Sequence, residues 1–162
     1  MLKAIVAALI IALPGCENQM PNEKSPTPEV NVELGALPKL ITLPKGPTEV
    51  RWEVLERAQG QAATLRALLR FSEEDYAAIV ADSEVYDQRG NARIDRDVYD
   101  AWIIDAAKAG IEAREKGSRY YELVGVEPRK ANLFWNAELS PYVNGRITPL
   151  QDGYVFVSMQ AS

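Results

Sequence analysis

Apolar residues recur at three- and four-residue steps through the middle of the chain, and this spacing predicts amphipathic helices. The longest such run covers residues 49–70, with apolar positions at Trp52, Leu55, Ala58, Ala62, Leu65 and Leu69. A second helix is predicted from Ser72, which would be the N-cap of an acidic first turn. A third is predicted from Asp95 to Gly117, and a shorter fourth over residues 128–139.

The last twenty residues change to a strand-like pattern. Asn144-Gly145 and Asp152-Gly153 are hairpin-turn signals, and each is flanked by β-forming residues. The sequence therefore predicts a mainly α (α+β) fold, in which three to four helices are closed by a small C-terminal antiparallel β hairpin or meander.

Prolines are concentrated ahead of the predicted helices. Six of the ten lie between residues 17 and 48, where fixed φ angles and missing N–H donors disfavour regular structure. We expect residues 16–47 to form a tether or extended arm and residues 48–162 to form one globular domain. Val30, Val32 and Leu34 alternate with polar residues, so this arm either packs on the domain or offers a strand to a partner.

Composition excludes several classes of function. The chain has no histidine, which removes the commonest general acid–base residue and the Ser-His-Asp and Cys-His arrangements. Its single cysteine has no partner for an internal disulfide. The net charge of −5, without a cationic cluster, argues against nucleic-acid binding. No cofactor and no metal site are expected.

The first sixteen residues, MLKAIVAALIIALPGC, have the layout of a signal sequence. Lys3 is followed by a charge-free apolar segment that is too short to cross a bilayer and has the length of a signal-peptide core. With Leu13, Gly15 and Cys16 in place, it resembles a bacterial lipoprotein signal peptide, although Pro14 stands where such lipoboxes usually have a small residue. The resemblance covers residues 1–16 only, and no domain family is recognised in the rest of the chain.

The resemblance implies an address in the bacterial cell envelope. Residues 1–15 would be removed, and Cys16 would receive a diacylglycerol and a further acyl chain such as palmitate. Two or more buried acyl chains give stable anchoring where one does not. Glu17 favours the periplasmic face of the outer membrane, because lipoproteins retained at the inner membrane tend to have Asp at this position. The membrane would then be a partner through the lipid anchor.

Aromatic residues outside the predicted helix faces are the candidates for recognition. Tyr120, Tyr121, Phe134 and Trp135 are predicted to form a partner-binding surface for a protein or an envelope polymer. The leading hypothesis is therefore a non-enzymatic binding or scaffolding lipoprotein. A phage- or plasmid-type envelope protein that acts in lysis or exclusion is one alternative.

Acidic residues suggest a second alternative, a carboxylate-dependent hydrolase of envelope glycans. Glu84, Asp87 and Asp97 are candidates for an acid and base pair. The competing interpretation is that most acids near the predicted helices complement helix dipoles or lie on solvated faces. The segment from Asp87 to Asp95 lacks the acid spacing of an EF-hand loop, so calcium binding is not expected.

Overall fold

Antiparallel β-sheets are the main regular structure of the computed structural model, which describes residues 29–56, 62–86, 90–136, 138 and 140–162. Over these residues 37% lie in strands and 22% in helices, so the prediction of a mainly α fold is wrong. The strands are β1 (Glu49–Leu55), β2 (Thr64–Arg70), β3 (Ala92–Asp95), β4 (Ala113–Lys116), β5 (Tyr120–Leu123), β6 (Arg129–Lys130), β7 (Tyr142–Pro149) and β8 (Tyr154–Ala161).

The strands form two sheets, and all their pairings are antiparallel. The larger sheet has the order β1-β2-β8-β7-β6, and the smaller has the order β3-β5-β4. The helices of the described ranges are short: α1 (Leu37–Leu40), α2 (Glu73–Asp82), α3 (Arg96–Ala101), α4 (Asp105–Lys108) and a 3₁₀ turn (Asn132–Phe134).

The predicted first helix is instead the β1–β2 pair. In β1 the apolar Val50, Trp52 and Val54 alternate with charged residues, which is the period of a strand. In β2 almost every side chain is buried, because this central strand is covered on both faces. A strand buried on both faces has no clean alternation, so its apolar residues also fit helical spacing.

The second predicted helix is confirmed, and the third and fourth are wrong. The Ser72 hydroxyl accepts a hydrogen bond from the Asp75 N–H at 3.1 Å and caps α2. The third helix ends after six residues, and the rest of its predicted range, up to Gly117, contains α4 and β4. Where residues 128–139 are described, that is without 137 and 139, the regular elements are β6 and the 3₁₀ turn.

The C-terminal hairpin is confirmed, with one of its two predicted turns. Asp152 and Gly153 have φ values of 53° and 77° and connect β7 to β8. Asn144-Gly145 is not a turn. It lies inside β7, next to an irregularity in the pairing with β8 between Tyr142 and Asn144.

The first face of the larger sheet is covered by the arm, α2 and the 3₁₀ turn. Leu37, Ile41, Ile79 and Phe134 are buried there against Leu65, Ala67, Leu69, Val155, Val157 and Met159. The second half of the arm thus packs on the domain, as one of the two interpretations predicted. Asn31 forms a β-bridge with Trp52 at the edge strand β1.

The second face of the larger sheet is covered by the smaller sheet with α3 and α4. Ile94, Val98, Ala107 and Leu123 come from this layer and form a core with side chains of the larger sheet, namely Leu68, Tyr154 and Phe156. The large sheet is therefore the middle layer of three.

Arg66 is a charged residue buried between the two sheets. Its guanidinium donates to Glu53 on the neighbouring strand, at 2.7 Å from Nε, and through Nη2 as well. It also donates to Asp97 at 3.0 Å and lies 3.7 Å from Asp95, both in the smaller layer. Burial disfavours the charged guanidinium, but its bonds to Asp97 and Glu53 outweigh this, so the pKa of Arg66 is raised.

Replacement of Arg66 by methionine should destabilise the fold strongly. Arg66→Met leaves Glu53, which is only 3% exposed, without its cation, and such a loss costs about 3–5 kcal/mol. Urea unfolding measures the effect, and Arg114→Met, which breaks an exposed pair, should leave the midpoint nearly unchanged. Adding Glu53→Leu to Arg66→Met should recover much of the loss. Equal midpoints for Arg66→Met and Arg114→Met would contradict this account.

A methyl group at Gly145 should also destabilise the fold. A Cβ there would lie 2.5 Å from the Ser158 carbonyl oxygen and 2.8 Å from Met159 Cγ, so β7 and β8 would have to separate. We expect Gly145→Ala to lower the unfolding free energy by about 1–3 kcal/mol. Gly46→Ala is the matched control, because nothing lies within 4 Å of its Cβ position. If Gly145→Ala left the unfolding free energy unchanged, β7 and β8 would be able to move apart without cost, which would contradict this account.

Candidate functional site

A groove lies beside Tyr86 at the β6 side of the larger sheet. Three adjoining cavities of about 640, 180 and 310 Å³ follow one another there, and Tyr86 lines all three. We call this depression the Tyr86 groove. Its lining comes from the segment after α2, from the three strands of the smaller sheet, from β6, β7 and β8 of the larger sheet, and from the 3₁₀ turn and the residue after it.

The segment that carries Tyr86 is held to β6 by main-chain bonds. Val85 forms a β-bridge with Arg129, and the Lys130 N–H donates to the Glu84 carbonyl oxygen at 2.8 Å. The Arg129 guanidinium donates to the Ser83 carbonyl oxygen at 3.0 Å. These bonds extend the sheet edge by one short segment and fix Tyr86 over the groove.

Close packing of two strands shapes the groove at β7. Gly145 lies so near β8 that a side chain would not fit, and its carbonyl oxygen accepts from the Ala131 N–H at 3.1 Å. The neighbouring Asn144 and Arg146 stand opposite Gln160 and Ser158 on β8. Polar side chains of two paired strands thus line the same depression.

Trp135 lies at one end of the groove. Its side chain is 51% exposed, while the preceding Phe134 is fully buried and fixes the chain at this point. The Trp135 carbonyl oxygen also accepts from the Thr42 hydroxyl at 3.4 Å. The cavity at this end is lined as well by the side chains of Asn132, Asn144 and Gln160. An exposed indole beside amides offers a flat apolar surface together with hydrogen-bonding groups.

The other end of the groove is cationic. Arg93, Lys116 and Arg146 line it together with one acid, Glu122. The pKa of Glu122 is lowered by a hydrogen bond from the Asn91 amide at 3.0 Å and by Lys116, whose Nζ lies 3.3 Å away. Glu122 is thus charged and already bonded, and the arginines dominate this end.

The four aromatic residues predicted as one surface are not brought together. Tyr120 and Tyr121 lie on β5. The Tyr121 ring packs on Tyr99 with ring centroids 4.7 Å apart, and the Arg119 guanidinium lies over the Tyr120 ring. Phe134 is in the core, so its predicted exposure is wrong. Trp135 alone of these residues lines the groove. Cys16, the predicted lipidation site, lies outside the described residues.

Sequence reasoning missed most of the groove. Tyr86, Arg93, Asn144, Arg146 and Gln160 were not candidates. The signal for two of them was present, since Asn144 and Arg146 alternate with apolar neighbours as on the polar side of a strand. The Asn-Gly pair concealed this alternation because it is also a strong turn signal.

The acids proposed for a hydrolase have separate partners. Glu84 accepts from Lys130 at 3.1 Å in the Tyr86 groove, and Asp97 pairs with Arg66 at 3.0 Å. Asp87 lies outside the described residues. Within the described ranges, no group of three or more metal-ligating side chains is placed to hold an ion.

A separate cavity, of about 640 Å³, lies outside the Tyr86 groove, at the β1–β2 end of the larger sheet, and is lined by an ion network. Arg70 donates to Glu49 at 2.7 Å and to Asp152 at 2.8 Å, and the Tyr154 hydroxyl donates to Glu49 at 2.7 Å. The Tyr154 and Arg70 bonds lower the pKa of Glu49. Burial and the bond to Glu49 raise the pKa of Tyr154 to about 12. A carboxylate held charged in this way suits an ion pair and not a general acid.

Comparison with known proteins gives no relatives. No protein-family model, curated protein or solved structure matches this chain. Among the described residues, no helix has the length and apolar character needed to cross a membrane.

The network around Glu49 predicts a pH dependence of stability. A raised pKa at Tyr154 means stability that is present below pH 10 and is lost as the pH rises toward 12. A lowered pKa at Glu49 means stability present above about pH 4.5 and lost as the pH falls through the lowered value. Urea midpoints across both ranges measure these losses.

Tyr154→Phe should reduce both losses, because it removes the titrating phenol and the main cause of the Glu49 shift. Tyr120→Phe is the control, since it deletes a hydroxyl outside this network. If the urea midpoints of Tyr154→Phe and of the unmodified chain depended on pH in the same way, the network around Glu49 would be excluded as the cause of the stability losses.

Proposed function

We propose that this chain is a lipid-anchored, non-enzymatic binding protein of the bacterial envelope, and that the Tyr86 groove recognises a glycan polymer. The observation that carries the proposal is Trp135, an indole half exposed at the end of a groove whose other lining groups are mostly polar. The apolar C–H faces of sugar rings pack on such an indole, and the neighbouring amides match sugar hydroxyls.

The amides of the groove favour a polar ligand. The side chains of Asn144 and Gln160 stand opposite each other on β7 and β8 and are exposed. Neither side chain makes a hydrogen bond to another residue within the described ranges, so both are free to bind a ligand. The shape also fits an extended molecule, because the three cavities adjoin one another along Tyr86.

The acids of the groove favour binding without turnover. Glu84 and Glu122 line different cavities, and each is engaged by a lysine, Lys130 and Lys116 respectively. Glycoside hydrolysis needs two carboxyl groups that flank one bond, about 5–10 Å apart. The hydrolase alternative is tested by incubating the protein with glycan and measuring new reducing ends, which we expect to be absent.

The lipid anchor is inferred from residues 1–16, and the chain length limits its reach. Twelve residues separate Cys16 from Glu29, the first residue of the described structure. Fully extended, such a segment spans about 45 Å at most. The folded part of an anchored chain would therefore begin within about 45 Å of the membrane surface.

Trp135→Ala should weaken glycan binding without loss of stability. The purified protein, residues 17–162, is mixed with peptidoglycan sacculi and pelleted, and is titrated with a hexamer of N-acetylglucosamine by calorimetry. We expect at least a tenfold loss of affinity, which is the scale of a central aromatic contact. The melting temperature should change little, because half of the side chain is already in water.

A control variant and a fluorescence measurement separate the effect of Trp135 from that of other apolar residues. Ile104→Ala truncates a side chain that is 46% exposed and lies outside the groove, and it should bind as the unmodified protein does. Trp52 and Trp102 are buried, so quenching of the indole emission by ligand would report on Trp135. Absence of binding to both sacculi and hexamer would refute the proposed function, as would full binding by Trp135→Ala.

A further inference from the structure

Two arginines at the cationic end of the Tyr86 groove, Arg93 and Arg146, have no carboxylate within ion-pair distance among the residues that the structure describes. Arg146 makes one long hydrogen bond, 3.4 Å, to the carbonyl oxygen of Arg93. The guanidinium of Arg93 makes no hydrogen bond or ion pair with the residues that the structure describes. The two side chains line the same cavity. Neighbouring positive charges that form no ion pair repel each other, and an anionic ligand would relieve this repulsion.

The other arginines of the described ranges are bonded within the fold. Arg66, Arg70, Arg96, Arg114 and Arg119 each pair with at least one carboxylate. Arg51 and Arg129 have no acid within ion-pair distance, but each donates to a carbonyl oxygen at 2.9–3.0 Å. In a chain with 23 acids against 18 basic residues, unpaired arginines are not explained by a shortage of carboxylates.

The acid in this cavity does not neutralise the pair. Glu122 stands opposite Arg93 in the β3–β5 ladder, and Arg93 contributes weakly to its lowered pKa. The bonds of Glu122 go to Asn91 and Lys116 instead. Among the described residues that line this cavity, three cationic side chains stand against one acid, which leaves a positive surplus there on a protein whose net charge is −5.

We propose that the glycan bound in the Tyr86 groove is anionic, and that Arg93 and Arg146 bind its acidic groups. This inference rests on the proposed function. Guanidinium groups bind carboxylate and phosphate oxygens through paired N–H donors, so both a uronate-type and a phosphate-bearing sugar polymer fit this chemistry. A ligand that reaches from Trp135 past Tyr86 to the arginines stacks a sugar at one end and binds an acid at the other.

Three oligosaccharides of equal length separate the contributions. The probes are the neutral hexamer of N-acetylglucosamine, a hexamer of galacturonate and a hexameric sugar phosphate, each titrated by calorimetry at 50 and 300 mM NaCl. We expect the better acidic probe to bind at least tenfold more tightly than the neutral hexamer at 50 mM, and this ratio to shrink at 300 mM. Whichever acidic probe binds more tightly identifies the source of the charge.

The double variant Arg93→Gln/Arg146→Gln should abolish the preference for acidic probes, measured as the ratio of its affinities for the acidic and the neutral hexamers. Arg114→Gln is the matched control, an exposed arginine of the smaller sheet outside the groove, and it should retain the preference. Arg93→Lys/Arg146→Lys keeps the charge without the paired donors, and it should give an intermediate ratio.

The outcomes distinguish this inference from the function on which it rests. Equal affinity for acidic and neutral probes would overturn the anionic ligand and leave the glycan-binding function standing. No binding of any probe would refute the function itself. An acidic preference that survives in the double glutamine variant would also overturn the assignment to Arg93 and Arg146. The comparison of probes on the unmodified protein needs no variant, so it holds even if the double variant does not fold.

Discussion

The contact of Arg66 with Glu53, Asp95 and Asp97 is the constraint on which the arrangement of the two sheets depends. Arg66 and Glu53 lie on neighbouring strands of the larger sheet, while both aspartates belong to the layer that covers it. A buried ion pair adds little net stability over an apolar pair of the same size, but it tolerates few alternative positions. The smaller sheet must therefore sit where its aspartates reach the guanidinium. The cationic end of the Tyr86 groove depends on this placement, since Arg93 comes from the smaller sheet and Arg146 from the larger.

The fold could be predicted from the sequence in those places where the signals are local. Ser72 with its acidic first turn specified α2, and Asp152-Gly153 specified the β7–β8 hairpin. The β1–β2 pair could not be found in this way, because β2 is buried on both faces and has no alternation. Its one interior charge, Arg66, looks like a solvated position in the sequence and is buried only because Glu53 and Asp97 lie beside it.

In the candidate site, too, the residue with a local sequence signal could be predicted and those placed by tertiary packing could not. Trp135 was recognisable because an aromatic residue outside the predicted helical faces had no place in the core, and it is exposed. Its neighbour Phe134 has the same sequence character and is fully buried, a difference set by the packing of the arm and α2. The rest of the groove is assembled from segments up to 76 residues apart, Glu84 to Gln160. Such a surface depends on strand order and register, which a single sequence without relatives does not reveal.

The bridges at the two ends of the larger sheet have a consequence for assembly. Unpaired edge strands present rows of free N–H and C=O groups that invite pairing with another chain. At one edge Asn31 pairs with Trp52 in the middle of β1, and at the other Val85 pairs with Arg129 on the two-residue β6. Short segments of the same chain thus cover both edges of the larger sheet, and each pairs through one isolated bridge and not through a full strand. Association through the edges of the larger sheet is therefore disfavoured on both sides, and a second copy of the chain would have to displace one of these segments before it could pair there.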